Sequence, residues 1–360
     1  MATLFSPLTL GNLKLPNRII MAPLTRCRAS EGRVPNELMA EYYAQRASAG
    51  LIISEATIVD PMGAGYPNTP GIYSDAQIEG WKKVTKAVHD LGGRIFLELW
   101  HDGRISDPIY LNGALPVAPS AVKPAGHVSL VRPMKDFETP RALERDEIPA
   151  IIDMFRQGAE NAKKAGFDGV EIHGANGYLL DQFLQDSTNK RDDDYGGAIE
   201  NRARLMLDVV DAVLSVWDKG RVGMHLAPRM DAHDMGDSMR LETFSYVARE
   251  LGKRNIAFIC TREHHAGDSI SPALKSAFGG LYIANEGFTK DSAETILENG
   301  TADAVAFGKL YIANPDLVER FKTDATLNVP DANTFYGDSG AIGYTDYPFL
   351  DSEESDIKHA

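Results

Sequence analysis

Three side chains that handle protons or donate hydrogen bonds fall within one short run, Val170-Glu-Ile-His173-Gly-Ala-Asn176-Gly-Tyr178. An imidazole and a primary amide can both donate to one carbonyl oxygen, and a phenol beside them can deliver a proton. The run opens as an apolar strand from Gly169 to Ile172 and breaks at glycines into a turn. Two donors and one weak acid at the C-terminal end of a strand suit the polarisation of an enone. The plainer alternative is that His173 caps the following helix and Tyr178 packs on it.

Positioning these residues falls to a regular alternation. Strand-like apolar runs occur at Ile19–Pro23, Leu51–Glu55, Arg94–Leu99, Gly169–His173, Val222–Leu226, Ile256–Cys260, Leu281–Ala284 and Ala304–Phe307. Between them lie helix candidates such as Pro35–Ala49, Asp75–Leu91, Glu147–Ala165, Ile199–Val216, Arg240–Lys253 and Ser292–Asn299. Asp75 and Ser292 are candidate N-caps, and Gly92 and Gly166 candidate stops. Eight such repeats with near-continuous apolar strands predict an α/β fold with a parallel sheet covered by helices. A closed (β/α)8 TIM barrel is the expected form, because no G-x-G-x-x-G turn follows the first strand as an open doubly wound sheet would require. The chain exceeds a minimal barrel. The surplus is an N-terminal segment, Leu4–Pro16, and a Pro/Gly-rich excursion after the third strand, Asp102–Arg141, expected to act as a lid. Residues 1–350 are expected to form one barrel domain, and 351–360 a mobile acidic tail.

In such barrels the chemistry sits on the loops after the strands. The first strand leads into Ala22-Pro23-Leu24-Thr25, where Thr25 offers a hydroxyl at the mouth. After the second come Ala56, small enough for a flat ligand to approach closely, and Tyr66 on a Gly/Pro loop that could roof a pocket. Strand alternation points Glu98 and Trp100 towards the barrel axis and Leu99 away from it. A core-facing carboxylate is costly without a partner. His225 at the fifth strand also faces inward. The last two strands end in Asn285-Glu-Gly287 and Gly308-Lys309, where freed backbone N–H groups beside a lysine suit a phosphate.

Composition excludes several classes. Lys+Arg total 37 against Asp+Glu 51, a formal charge of −14, so nucleic acid and anionic membranes are poor partners. Two cysteines cannot build a disulfide framework or a four-thiolate cluster, and they fit a cytoplasmic setting. The N-terminus lacks a signal-peptide pattern, and no apolar run reaches membrane-spanning length. No metal-ligand spacing is evident; the His264-His265 doublet lacks matching carboxylates or thiols. G-x-S-x-G and P-loop motifs are absent.

Several longer matches run in order along residues 4 to 350. They include Ala22-Pro-Leu-Thr-Arg26, Glu41-Tyr-Tyr-Ala-Gln-Arg-Ala-Ser-Ala-Gly-Leu-Ile-Ile-Ser-Glu-Ala56, Leu99-Trp-His101, Gly103-Arg-Ile-Ser106 and His173-Gly-Ala-Asn-Gly-Tyr-Leu-Leu180. Tyr195-Gly-Gly197, Glu200-Asn-Arg202, Ala313-Asn-Pro-Asp-Leu317 and Gly343-Tyr-Thr-Asp-Tyr-Pro348 complete the set. Together they resemble the Old Yellow Enzyme family of flavin-dependent ene-reductases, and within it the bacterial branch of maleimide, nitrate-ester and morphinone reductases.

The resemblance implies non-covalent FMN across the barrel mouth, reduced by NADPH or NADH and reoxidised by a small-molecule activated alkene. By that resemblance His173 and Asn176 bind the substrate oxygen, the β-carbon takes a hydride from flavin N5, and Tyr178 protonates the α-carbon. Ala22, Pro23, Leu24, Thr25 and Ala56 lie on the flavin, with Thr25 at O4. Gly308, Lys309 and the Asn285–Gly287 loop hold the phosphate. Trp100, Tyr66 and Tyr344 shape the substrate pocket. The protein is expected to be a monomer or a homodimer.

Four departures stand out. Glu98 replaces the family's usual glutamine and His225 its arginine, both at the flavin pyrimidine edge, while Lys309 replaces a phosphate-binding arginine. Glu286 sits where many relatives have glycine. Lys309 keeps the charge without the bidentate fork. Glu98 with His225 removes positive charge next to the reduced flavin, which predicts a lower potential or weaker FMN binding unless Arg229 folds back. The competing reading is a barrel without flavin, either a binding protein or an isomerase or lyase using His173 and Tyr178.

Overall fold

The computed structural model describes residues 2–229, 232–264, 267–337 and 339–350; the acidic tail 351–360 and His265 lie outside them. Eight parallel strands close on themselves: β1 (Ile19–Met21), β2 (Leu51–Ile53), β3 (Ile95–Trp100), β4 (Gly169–Gly174), β5 (Val222–Leu226), β6 (Phe258–Arg262), β7 (Leu281–Asn285) and β8 (Ala304–Phe307). They pair in chain order, with β8 returning to β1, which makes the (β/α)8 barrel.

Burial of both strand faces explains the unbroken apolar runs. Outward residues such as Leu99, Ile172 and Met224 pack under the helices, whereas Ile20, Ile53, Phe96 and Phe258 fill the barrel interior. A hairpin, Leu8–Leu10 with Leu13–Leu15, adds Leu8, Leu10 and Leu15 to that interior cluster. The N-terminal segment is thus a plug of one end.

Strand β6 lies two residues further on than the sequence predicts, which brings Arg262 to its end at the mouth. The helix Ser271–Phe278 was not among the expected ones; it is short and begins with Ser-Pro after a polar loop. The cap assignments shift as well. Ser74, not Asp75, caps the helix Asp75–Asp90 in a reciprocal box with Gln77. Thr289 caps Lys290–Glu298, with Ser292 as its partner three residues in. Gly92 and Gly166 stand just beyond helix ends with left-handed φ of 74° and 85°, as expected of stop positions.

The excursion after β3 folds back through parallel pairing of Val117–Ala118 with Arg141–Ala142. Its Ile105, Val128 and Phe137 form a small cluster against which Tyr178 packs. Among the described residues no helix is long and apolar enough to cross a membrane.

Candidate active site

The C-terminal mouth of the barrel holds a cavity of about 970 Å³, at the upper end of the range for a small-molecule site. It gathers Ala22, Pro23, Leu24, Thr25, Ala56, Tyr66, Glu98, Trp100, His173, Asn176, Tyr178, His225, Asn285, Gly287, Gly308 and Lys309. Every candidate residue from the sequence is therefore present except one. Tyr344 is fully buried, stacked on Tyr42 at 4.0 Å between ring centres, beneath the guanidiniums of Arg26 and Arg28. The aromatics that the same segment presents to the cavity are Phe335 and Tyr336.

The turn after β4 shows why its residues carry the chemistry. Asn176 has φ 56°, a left-handed conformation that asparagine tolerates better than most side chains. Its Oδ1 accepts from Arg262 Nη1 at 3.2 Å, which leaves the amide N–H groups for the cavity. Arg262 is in turn clamped by Glu286, with Nε and Nη2 at 3.0 and 3.2 Å from the two carboxylate oxygens. Glu286 has φ 96°, a strained value for a residue with a Cβ. Arg262 was not among the expected site residues, its place at the mouth hidden by the two-residue shift of β6.

Tyr178 packs edge-on against Trp100, with ring centres 4.9 Å apart, and its hydroxyl lies 2.8 Å from that of Tyr66. Burial first, then the charges and phenols around it, pushes Tyr178 well above the ordinary phenol range. It keeps its proton at neutral pH.

The mouth's floor is unusual. Glu98 is buried, and its Oε1 accepts from His173 Nδ1 at 2.6 Å and from His225 Nδ1 at 3.0 Å. Burial alone would push this carboxyl up, but the two imidazoles outweigh it and hold it at about 2. Burial draws His225 below the usual imidazole range, with Glu98 opposing. Glu171, opposite Glu98 in the β3–β4 register, is pushed well up by burial and by the Glu98 charge. Glu98, His173 and His225 form the compact His/Glu cluster among the described residues, with donor atoms within 4.8 Å of one another. Both ring nitrogens sit at hydrogen-bond distance from a single oxygen, so the trio is a hydrogen-bonded set.

Arg229 does not fold back over the mouth. Its guanidinium is engaged by Asp268 and, at 3.3 Å, by Glu263. The cation that lines the cavity near His225 is Arg262.

FMN fits these residues. The buried Nε2 atoms of His173 and His225 and Nε1 of Trp100 have no hydrogen-bond partner among the described residues. At the other end Lys309 is exposed and makes no ion pair among the described residues, beside Gly308, whose missing side chain leaves Leu24 in close approach: an added Cβ would lie 3.2 Å from it.

Barrel oxidoreductases lay a flat cofactor across such a mouth, and comparison with known proteins puts this chain among them. The family model for "NADH:flavin oxidoreductase / NADH oxidase" matches residues 3–328. The chain belongs to that family, which is FMN-dependent and uses NAD(P)H. 12-Oxophytodienoate reductase 1 of Oryza sativa subsp. japonica is 44% identical, across 99% of this chain and 96% of its own. A probable flavin mononucleotide-dependent alkene reductase of Leishmania infantum is 42% identical over 96% and 97% of the two chains. Among solved structures, morphinone reductase in complex with tetrahydroNAD superposes with a TM-score of 0.94 at 49% identity, over 98% of this chain and 99% of the other. The Old Yellow Enzyme homologue of Zymomonas mobilis also gives 0.94, at 46% identity, over 97% and 100%.

Proposed function

We propose that this chain is an NAD(P)H-dependent FMN ene-reductase that reduces the C=C bond of α,β-unsaturated carbonyl, maleimide or nitro compounds. The observation that carries the reading is the convergence of His173, Asn176 and Tyr178 on one cavity beside Trp100 and Thr25. FMN, when bound, would supply the hydride. His173 and the Asn176 amide bind the substrate oxygen and stabilise the negative charge that builds there as the double bond accepts the hydride. Arg262 fixes the Asn176 amide so that its N–H groups face the substrate. Tyr178 holds the proton for the α-carbon, and Tyr66 holds the Tyr178 hydroxyl. The Trp100 and Tyr66 rings, tilted at 5.5 Å between centres, wall the pocket and exclude water. Lys309 and the N–H groups near Gly308 and Gly287 would hold the phosphate. A cytoplasmic setting accords with two buried free thiols, Cys27 and Cys260.

The test is an absorption spectrum of the purified protein, followed by anaerobic NADPH and then 2-cyclohexenone. A flavin band that bleaches and then returns supports the reading. A colourless protein that takes up no added FMN overturns it.

A further inference from the structure

Glu98 changes what His173 can be. An ionised carboxylate only accepts hydrogen bonds, so a 2.6 Å contact with His173 Nδ1 requires a proton on that nitrogen. A neutral imidazole has one N–H. With it spent on Glu98, Nε2 would meet a substrate oxygen lone pair to lone pair, which repels the atom it must hold. A glutamine at position 98 imposes no such rule, because its amide N–H can donate to Nδ1 and leave the imidazole proton on Nε2. A carboxylate held ionised by its two imidazole neighbours removes that option.

We propose that His173 meets the substrate as an imidazolium, and that Glu98 is the positioning residue that puts it in this state. The inference rests on the ene-reductase reading for its catalytic consequence, although the charge state itself does not. Glu98 balances the cation at a separation where a hydrogen-bonded opposite charge is strongly stabilising. Its second donor, His225 Nδ1, fills the same oxygen and keeps His225 neutral with an accepting Nε2. The trio then carries zero net charge, whereas two neutral imidazoles would leave a buried carboxylate without a counter-charge.

The surroundings agree. Glu171 and the Cys260 thiol lie near Glu98 from β4 and β6, both pushed up by burial and so both neutral. Tyr178, at 5.1 Å between ring centres, stays a neutral phenol. Asp181, on the helix after the turn, is raised to about 6 by burial and also sees His173. Arg262 is the facing cation; it acts on His225 and is offset by Glu286. A cationic donor strengthens as negative charge builds on the substrate oxygen, so it favours the transition state over the ground state.

The experiment pairs two readouts on the full chain in chelator-containing buffer. The first is nitrogen NMR of histidine-labelled protein, with the His173 signals assigned by their loss in His173→Ala. Near about pH 7 the wild type should show both His173 nitrogens protonated, and Glu98→Gln should show a single proton, on Nε2. The second is the pH profile of the alkene half-reaction. In the wild type it should fall roughly tenfold per pH unit above a single break, and in Glu98→Gln loaded with FMN the fall should vanish. A neutral His173 in the wild type, or an unchanged profile in Glu98→Gln, overturns the proposal. Should the variant fail to fold, the wild-type NMR decides alone. An imidazolium in a protein that neither binds FMN nor reduces alkenes would sink the ene-reductase reading and leave the charge state standing.

Discussion

The hydroxyls of Tyr66 and Tyr178 stand 2.8 Å apart at the roof of the cavity, although 112 residues separate them in the chain. With Tyr66 as donor, the Tyr178 proton is free for the substrate and the phenolate it leaves is stabilised. Replacing Tyr178 by Phe should slow the alkene step about 10²- to 10⁴-fold and leave NADPH-driven bleaching at the wild-type rate. Tyr66→Phe should slow the same step about tenfold, as expected for one lost hydrogen bond. Stopped-flow absorbance separates the two half-reactions.

Arg262 links Glu286 to Asn176, and it is the cation that acts on His225 at the cavity. Arg262→Met should raise KM for a nitroalkene about tenfold, the worth of a charge-assisted hydrogen bond. It should also lower the flavin potential by about 30 mV, equivalent to about 1.4 kcal/mol for two electrons. His225→Arg should move the potential the other way. Spectroelectrochemical titration reads both, and an unchanged potential in each variant would refute the charge argument.

Lys309 gives the phosphate corner a point charge without a fork. Lys309→Ala should weaken FMN binding about ten- to a hundredfold, in line with a lost hydrogen bond to a charged group. Lys309→Arg should tighten it through bidentate contact. Fluorescence quenching of FMN measures both constants.

Glu55 is buried behind the first loop, with Tyr43 and the Arg26 N–H as partners. Burial raises it to about 7 despite these contacts. The folded state therefore holds this proton where the unfolded chain has released it. Its contribution to stability is complete at low pH and is lost as pH rises from about 4.5 to about 7. The loss amounts to roughly 3 kcal/mol. Glu55→Gln should flatten that decline, as read from denaturant midpoints at about pH 5 and about pH 8.

Much of this was legible in the sequence, because barrel strands buried on both faces print as apolar runs and side-chain alternation aims Glu98 and Trp100 correctly. The turn at His173 announced itself by residue type. The rest was hidden in three ways. Arg262 was lost to strand register, which periodicity does not fix at strand ends. Tyr344 was misplaced because nothing local distinguishes a tyrosine that lines a pocket from one stacked behind it. The convergence of Glu98, His173 and His225 joins three strands, and only the closed barrel reveals that two imidazoles share one oxygen.

The stack of Tyr344 on Tyr42 has a further consequence. Arg26 and Arg28, just past the first strand, donate to carbonyls of Thr334, Phe335, Gly340, Ile342 and Gly343. Arg46 reaches Tyr344 in the same way. The loop that presents Pro23, Leu24 and Thr25 is thus braced from behind by residues 334–344. During synthesis Arg26 is made 308 residues before its acceptor Thr334, so the mouth reaches its working shape only after that stretch has been made. A nascent chain halted before residue 331 would hold all eight strands and still lack a finished place for the cofactor.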